Sequence, residues 1–302
     1  MTRTTSWLAK GPGTVTGRCG RRVPGTRARK RVVARPNVPA ATTEGQTAQP
    51  LAPRLVCPVP LGVPLDRLVV VADAHLGRGR DGITDLFLRF LRAAPGLGDG
   101  LLLAGDLFEF RFGDAHEPAA HAPVLAGLAE VAARVPTTFV GGNHDRWGSL
   151  GWATGRGIRA EAESVALEVA GRRVVAEHGD RQGQVRLSRR VAHALVSSPL
   201  ASAVYAALPA AIAFPLVERW SARSGAHRDD PVWRARAAER QRAAARARLG
   251  TADAPEVLVL AHSHVATVEE LMPGRWLVNP GAFYEGGRHA VVGRDLRLAQ
   301  LS

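Results

Sequence analysis

Apolar and polar positions along this chain fall into repeated blocks, each closing on the same kind of polar residue. A nearly continuous apolar run at residues 68–72 reads as a strand covered on both faces, and Asp73 follows it. Ile83, Leu86, Phe87, Phe90 and Leu91 then recur at helical spacing, one buried face that Pro95-Gly96 should stop. A second apolar run at 101–104 ends on Gly105-Asp106. The next helical face, Val124, Leu125, Leu128, Val131, Ala132 and Val135, leads to a run at 137–140 and then to Asn143. This order of strand, polar stop and helix predicts an α/β layered core with its active site at the carboxyl ends of the strands. Runs at 165–169 and 173–176, joined at Ala170-Gly171, predict a hairpin that delivers His178, and the run at 256–260 delivers His262 and His264. Short strands around Val268 and at 276–278, 289–292 and 296–298 are expected to complete a second sheet.

The spacing of the stops exposes an insertion. From His75 to Asp106, Asn143 and His178 the intervals are 31, 37 and 35 residues, whereas His178 to His262 is 84. About fifty extra residues sit in that gap. They include residues 191–217, which hold no Asp, Glu, Lys or Arg and are broken by Pro199, Pro209 and Pro215, and they end in an arginine-rich helical stretch at 231–249. Its 27 residues make the uncharged run long enough to span a bilayer. A single crossing would strand His262 and His264 on the far side from the other stops, so a helical cap over about 184–254 is expected instead. The pattern leaves open whether its apolar side chains only pack on the core or also meet lipid.

Charge changes the picture less than its total suggests. The net charge is +13, but residues 1–50 carry ten basic side chains against Glu44 alone, which leaves only +4 for the remainder. That segment lacks apolar periodicity, so residues 1–60 are expected to be a disordered basic tail. No apolar stretch follows Arg21-Arg22, which argues against a cleaved export signal; a transit peptide or a misassigned start would share this composition. Trp7 is the tail's one aromatic residue, too little for a base-stacking surface, so nucleic acid is not the expected partner. Cys19 and Cys57 are the only cysteines and precede every stop, which fits a reducing cytoplasm.

The chemistry lies in the stops themselves: Asp73-Ala74-His75, Gly105-Asp106, Gly142-Asn143-His144-Asp145, His178-Gly179-Asp180 and His262-Ser263-His264. Any one arises by chance, but five together supply the hard oxygen and imidazole donors that a dinuclear phosphohydrolase needs. Two divalent ions about 3.5 to 4 Å apart lower the pKa of a shared water to about 7 and clamp the phosphoryl oxygens. Asp106 suits the shared carboxylate. Asp73, His75 and His264 are expected around one ion, and Asn143, His178 and His262 around the other. With no cysteine in the set, manganese, iron or zinc fits. His144 is placed to give a proton to the leaving oxygen, with Asp145 orienting it. His116, His121, His193, His227 and His289 are read as structural.

In this order the five motifs resemble the calcineurin-like metallophosphoesterase superfamily, which implies a four-layer αββα sandwich over residues 61–302 with the helical cap inserted. Gly105-Asp106-Leu107-Phe108-Glu109 followed by Gly113-Asp114 resembles its UDP-2,3-diacylglucosamine diphosphatase branch. That resemblance implies cleavage of a lipid-linked pyrophosphate in lipid A synthesis, usually with manganese, by a cytoplasmic enzyme held peripherally at the inner membrane. The chain departs from the branch at Arg111 (usually Trp), Ala115 (usually Asp), Val185 and Arg189 (usually Asp and Tyr) and Ala261 (usually Gly). Arg111, Arg186, Arg189 and Arg190 are the candidates to bind substrate phosphate. The alternative within enzymes is a phosphomonoesterase or nucleotide phosphodiesterase with a soluble substrate. A non-catalytic scaffold should have lost a ligand, and none is missing.

Overall fold

Strand β1 (Leu68–Val71) shows how the apolar runs build two cores at once. It pairs in parallel with β2 (Gly100–Leu103), Leu68 opposite Gly100 and Val70 opposite Leu102. Val69 and Val71 point to one face, where they join Phe87, Phe90 and Leu91 of helix α1 (Ile83–Leu97) and Leu125 and Leu128 of α2 (Ala122–Ala132). Leu68 and Val70 point to the other and meet Val165, Val257 and Val278 of a second sheet. Strands buried on both faces must be apolar at successive positions, which is why these runs do not alternate. Truncating a fully buried side chain such as Phe90 to Ala should cost about 3 to 5 kcal/mol.

The computed structural model describes residues 65–77, 82–111, 116–182, 198–224 and 229–301. The basic tail at 1–60, both cysteines, Gly113-Asp114 and Arg186, Arg189 and Arg190 lie outside the described residues. The first sheet has the order β11-β10-β1-β2-β3-β4 and the second β5-β6-β7-β9-β8. Their remaining strands are β3 (Thr137–Val140), β4 (Arg159–Glu161), β5 (Ser164–Val169), β6 (Arg172–Glu177), β7 (Val257–Leu260), β8 (Thr267–Met272), β9 (Arg275–Asn279), β10 (Arg288–Val292) and β11 (Leu296–Gln300). A short helical turn, α3 (Gly151–Thr154), places Trp152 against Phe139.

Two expectations need correction. Helix α1 runs through Pro95 to Leu97, so proline does not stop it; Pro95 has a helical φ but no N–H, and the carbonyl of Leu91 loses its intrahelical donor. Strands β10 and β11 join the first sheet, not the second: β10 pairs antiparallel with β1, Leu68 opposite Val292. Between β9 and β10 the chain passes Gly281, Gly286 and Gly287, all at positive φ, and Phe283 N–H bonds the carbonyl of Ala72. Those left-handed residues turn it from one sheet to the other. Periodicity identifies a strand without naming its neighbour.

Among the described residues, three helices occupy the insertion between β6 and β7: α4 (Pro199–Ala207), α5 (Ala210–Ser224) and α6 (Pro231–Leu249). Proline opens α4 and α6, capped by Ser198 Oγ accepting from Ala201 N (3.2 Å) and Asp230 Oδ1 accepting from Val232 N (2.9 Å). Helix α6 buries Ala237, Gln241, Ala245 and Leu249, four residues apart, and its Ala245 and Leu249 pack on Leu258, Leu260 and Leu277. The arginine-rich helix is thus the outer layer over the second sheet, which completes the αββα sandwich. Helices α4 and α5 instead meet the core through Tyr205 and Ala213 on Trp147. Their Leu200, Val204, Ile212 and Leu216 are exposed. No helix among the described residues is long and apolar enough to cross a membrane.

Candidate metal centre

All five motifs leave the carboxyl ends of strands, Asp73 after β1, Asp106 after β2, Asn143 after β3, His178 after β6 and His262 after β7. Parallel pairing of β1 with β2, of β2 with β3, and of β6 with β7 brings these ends together. Asp73, His75, Asp106, His262 and His264 have φ between 49° and 66°, five of the seven non-glycine residues at positive φ among those described. Such conformations cost of order 1 to 3 kcal/mol each and persist only where the surroundings impose them. Two glycines allow the loops to approach: a Cβ on Gly105 would lie 2.6 Å from His178 Nδ1, and one on Gly142 2.1 Å from Asp106 Oδ1.

The ligand atoms converge. His178 Nε2 is 3.2 Å from Asp106 Oδ2 and 3.2 Å from Asn143 Oδ1, and His264 Nε2 is 3.3 Å from Asp73 Oδ1. His75 Nε2 is 4.0 Å from both Asp73 Oδ1 and Asp106 Oδ2. Three trios have donor atoms within 4.8 Å of one another: Asp73, His75 and His264; Asp106, His178 and His262; and His75, Asp106 and His144. His75 and Asp106 each belong to two of them, and Asp106 is the carboxylate that does so. Asp73 Oδ1 is buried; burial works against its charge, but the neighbouring His264 holds its carboxyl below the usual carboxylate range. These residues fit a pair of divalent ions.

The far side of each imidazole is held. Nδ1 of His178 donates to the carbonyl of Ala104 (2.9 Å) and Nδ1 of His144 to that of Glu109 (2.6 Å). A carbonyl only accepts, so whenever either ring is neutral its Nε2 presents a lone pair to the centre. His75 Nδ1 lies 3.3 Å from Glu109 Oε2, and His264 Nδ1 lies 2.9 Å from Tyr284 Oη. Such outer contacts set tautomer and ring orientation. Beneath the last motif, Gln241 of α6 and Asn279 both donate to the carbonyl of Ala261, and Asn279 also donates to Ser263 Oγ (2.9 Å).

Electrostatics mark a place that attracts positive charge. Burial works against the charge on Asp106, but His178, His144 and His75 overcome it and hold its carboxyl well below the usual carboxylate range. Burial would likewise lower His178, yet Asp106, Asp73 and Asp180 raise it to about 10. Burial and the neighbouring His178 push His262 down to about 4.

Two expected roles change. Asp145 does not touch the imidazole of His144; its carboxylate accepts from the backbone N–H groups of Gly142 (2.8 Å), Asp106 (3.2 Å) and Leu107 (2.6 Å), clamping two motif loops together. Burial and the charge of Asp106 raise its pKa to about 6. Arg111, expected at the substrate, is 5% exposed, pairs with Glu117 and lies over the rings of Trp152 and Phe108. It is committed to packing. Among the histidines read as structural, His121 pairs with Glu117 and His289 donates to Gly287 O, while His193 and His227 lie outside the described residues. Glu109 and Tyr284 were missed as holders of histidines. Glu109 at least stands in the second motif, whereas Tyr284 follows no motif.

Residues 66–266 match the calcineurin-like phosphoesterase family. Similar curated proteins include UDP-2,3-diacylglucosamine hydrolases of Stenotrophomonas maltophilia and Escherichia coli. The first is 40% identical over 111 residues, 36% of this chain and 45% of that protein. The second is 32% identical over 155 residues, 51% of this chain and 65% of that protein. The chain therefore spans about half to two-thirds of the length of these relatives. Among solved structures, the phosphoesterase Yfce from E. coli aligns over 78% of this chain and 92% of its own, at 18% identity and a TM-score of 0.40. With the match covering most of the chain and an Asp/His cluster at the strand ends that fits two divalent ions, this protein belongs to the calcineurin-like phosphoesterase family of metal-dependent phosphohydrolases.

Proposed function

We propose that this chain hydrolyses the pyrophosphate of a lipid-linked nucleotide sugar, the substrate class named by its curated relatives, at a centre of two divalent ions, manganese first and iron or zinc as alternatives. Asp73, His75 and His264 would hold one ion and Asn143, His178 and His262 the other, with Asp106 available to both. When bound, the ions supply Lewis acidity at the phosphoryl oxygens and an activated water. His144, held at Nδ1 by Glu109 O with Nε2 3.9 Å from Asp106 Oδ2, is the proton donor to the oxygen that leaves phosphorus. Asp145 and the buried pair Arg146–Asp180 keep the loops in register, Arg146 also donating to Gly142 O (2.7 Å).

One observation carries the lipid part of this reading. Trp147 donates its indole N–H to the carbonyl of Asn143 (2.8 Å), and the same ring receives Tyr205 and Ala213 of α4 and α5. The helices with the exposed apolar side chains are therefore anchored on a residue that touches a metal ligand. An acyl chain gripped there would be next to the scissile bond, and the same face would rest on a membrane. Turnover of UDP-2,3-diacylglucosamine and of a small aryl phosphate by protein loaded with manganese, iron or zinc is the test. The expected outcome is a higher kcat/KM for the acylated substrate. Hydrolysis of aryl phosphate alone would move the assignment to a soluble substrate.

A further inference from the structure

Six large apolar side chains stay exposed among the described residues; five lie on the insertion helices, and the sixth, Leu298, stands on β11 of the core. Leu298 is 41% exposed and lines a cavity of about 670 Å³ whose wall also includes His264, Arg234, Glu285, Arg288 and Gln300. That volume is in the usual range for a small-molecule site. His264, a candidate metal ligand, is among its lining residues, so the cavity lies beside the candidate centre, and neither α4 nor α5 contributes to it.

Its charge is built in an ordered way. Glu285 takes Arg234 NH1 on Oε1 (2.5 Å) and Arg288 NH1 on Oε2 (2.6 Å), so one carboxylate holds two guanidiniums side by side. Arg234 is further held by Tyr284 Oη (2.7 Å) and has Asp229 at 3.5 Å, outside the cavity wall. Arg288 is 43% exposed at its side chain. Its planar fork has further donors with which to meet an anion. The cavity therefore combines a positive rim, polar groups at Gln300 and Glu285, and an apolar wall at Leu298. A phosphate joined to a sugar and a flat base matches that sequence of surfaces.

We propose that this cavity is the subsite for the nucleoside monophosphate half of the substrate, with Arg288 reading its phosphate and Leu298 packing on the base. The inference rests on the nucleotide-sugar reading above and divides the substrate between two regions, acyl chains at α4 and α5 and nucleotide beside β11.

The test is calorimetric binding of UMP and of inorganic phosphate to the metal-loaded full chain. UMP should bind about tenfold or more tighter than inorganic phosphate, because only UMP carries the sugar and base that the apolar wall at Leu298 would cover. Leu298→Glu should reduce that ratio toward one, and Arg288→Glu should weaken UMP itself by about tenfold, the size of one charge-assisted hydrogen bond, with Arg288→Lys keeping part of the affinity. Arg234 is left intact because it touches Tyr284, which holds His264. UMP no tighter than phosphate, a surplus that survives Leu298→Glu, or UMP affinity unchanged in Arg288→Glu would overturn the subsite. Absence of turnover of the acylated substrate, with the UMP surplus present and both losses observed, would sink the lipid reading and sustain the subsite.

Discussion

The loops around the metal centre and the helices α4 and α5 solve opposite problems. In the loops the polar side chains are buried and packed against one another, and five candidate ligands hold a backbone conformation that L-residues avoid. On the helices no described residue has a positive φ and Ser198 caps α4, yet Leu200, Val204, Ile212 and Leu216 are 53 to 73% exposed. The loops store strain that two sheets and their shared core enforce. The helices leave apolar surface that only a partner can cover. Strain at fixed geometry suits a reaction at a point, and uncovered surface suits a ligand with a long apolar part.

The sharpest way to break the comparison is at the shared carboxylate. Asp106→Asn removes a charge that faces His178, His144 and His75. Both ions should be lost or severely weakened and hydrolysis of every phosphate substrate should fall to background, while liposome binding through α4 and α5 stays as in the parent. Metal analysis after gel filtration checks this, and two ions retained at normal turnover would remove Asp106 from the shared position.

Next in size is His144. His144→Gln should lower kcat by about 10² to 10⁴ with both ions still bound, the range for a positioned proton donor. Its ring also stands in a trio of possible ligands with His75 and Asp106, so metal content must be measured on the same sample. Loss of an ion with the imidazole would make His144 a ligand instead.

A smaller effect is expected at Tyr284→Phe, which deletes the hydroxyl 2.9 Å from His264 Nδ1. Outer contacts of this kind typically change metal affinity by about 10- to 100-fold. The loss should fall on the ion held by Asp73, His75 and His264 and spare the other. Two-site calorimetric titration with manganese separates them; equal weakening at both would mean that Tyr284 acts through general packing.

How much of this could be read from residues alone follows the same divide. The candidate ligands were legible because an apolar run ending on Asp, Asn or His needs only local order, and Asp73, Asp106, Asn143, His178 and His262 all leave the ends of their strands. The sheet assignment of β10 and β11 was not, because a strand pattern carries no information on its partner. Arg111 looked like a substrate contact from its place after the second motif, but Glu117 and Trp152 decide its fate and neither belongs to a motif. Glu109 and Tyr284 reach their histidines only after the chain has folded, across 34 and 20 residues of sequence. The positive φ values have no signature at Asp or His positions that periodicity could detect.

The last and mildest perturbation tests whether the exposed face is made for lipid. Leu200 and Leu216 are 73% and 55% exposed, and glutamate is a good helix former, so the double variant Leu200→Glu/Leu216→Glu removes little packing and no helix propensity. Surface changes of this kind usually alter stability by no more than about 0.5 kcal/mol each. Immersing a leucine side chain in an acyl layer is worth about 1.5 to 3 kcal/mol, so losing two of them should weaken partition onto anionic liposomes by about 10² or more. Added negative charge would increase the loss at low salt. Unfolding in urea and hydrolysis of a small aryl phosphate should therefore stay near parental values while liposome binding collapses. A variant that unfolds several kcal/mol more easily would show that α4 and α5 bury this face within the protein, and the contrast between a satisfied centre and an unsatisfied surface would no longer hold.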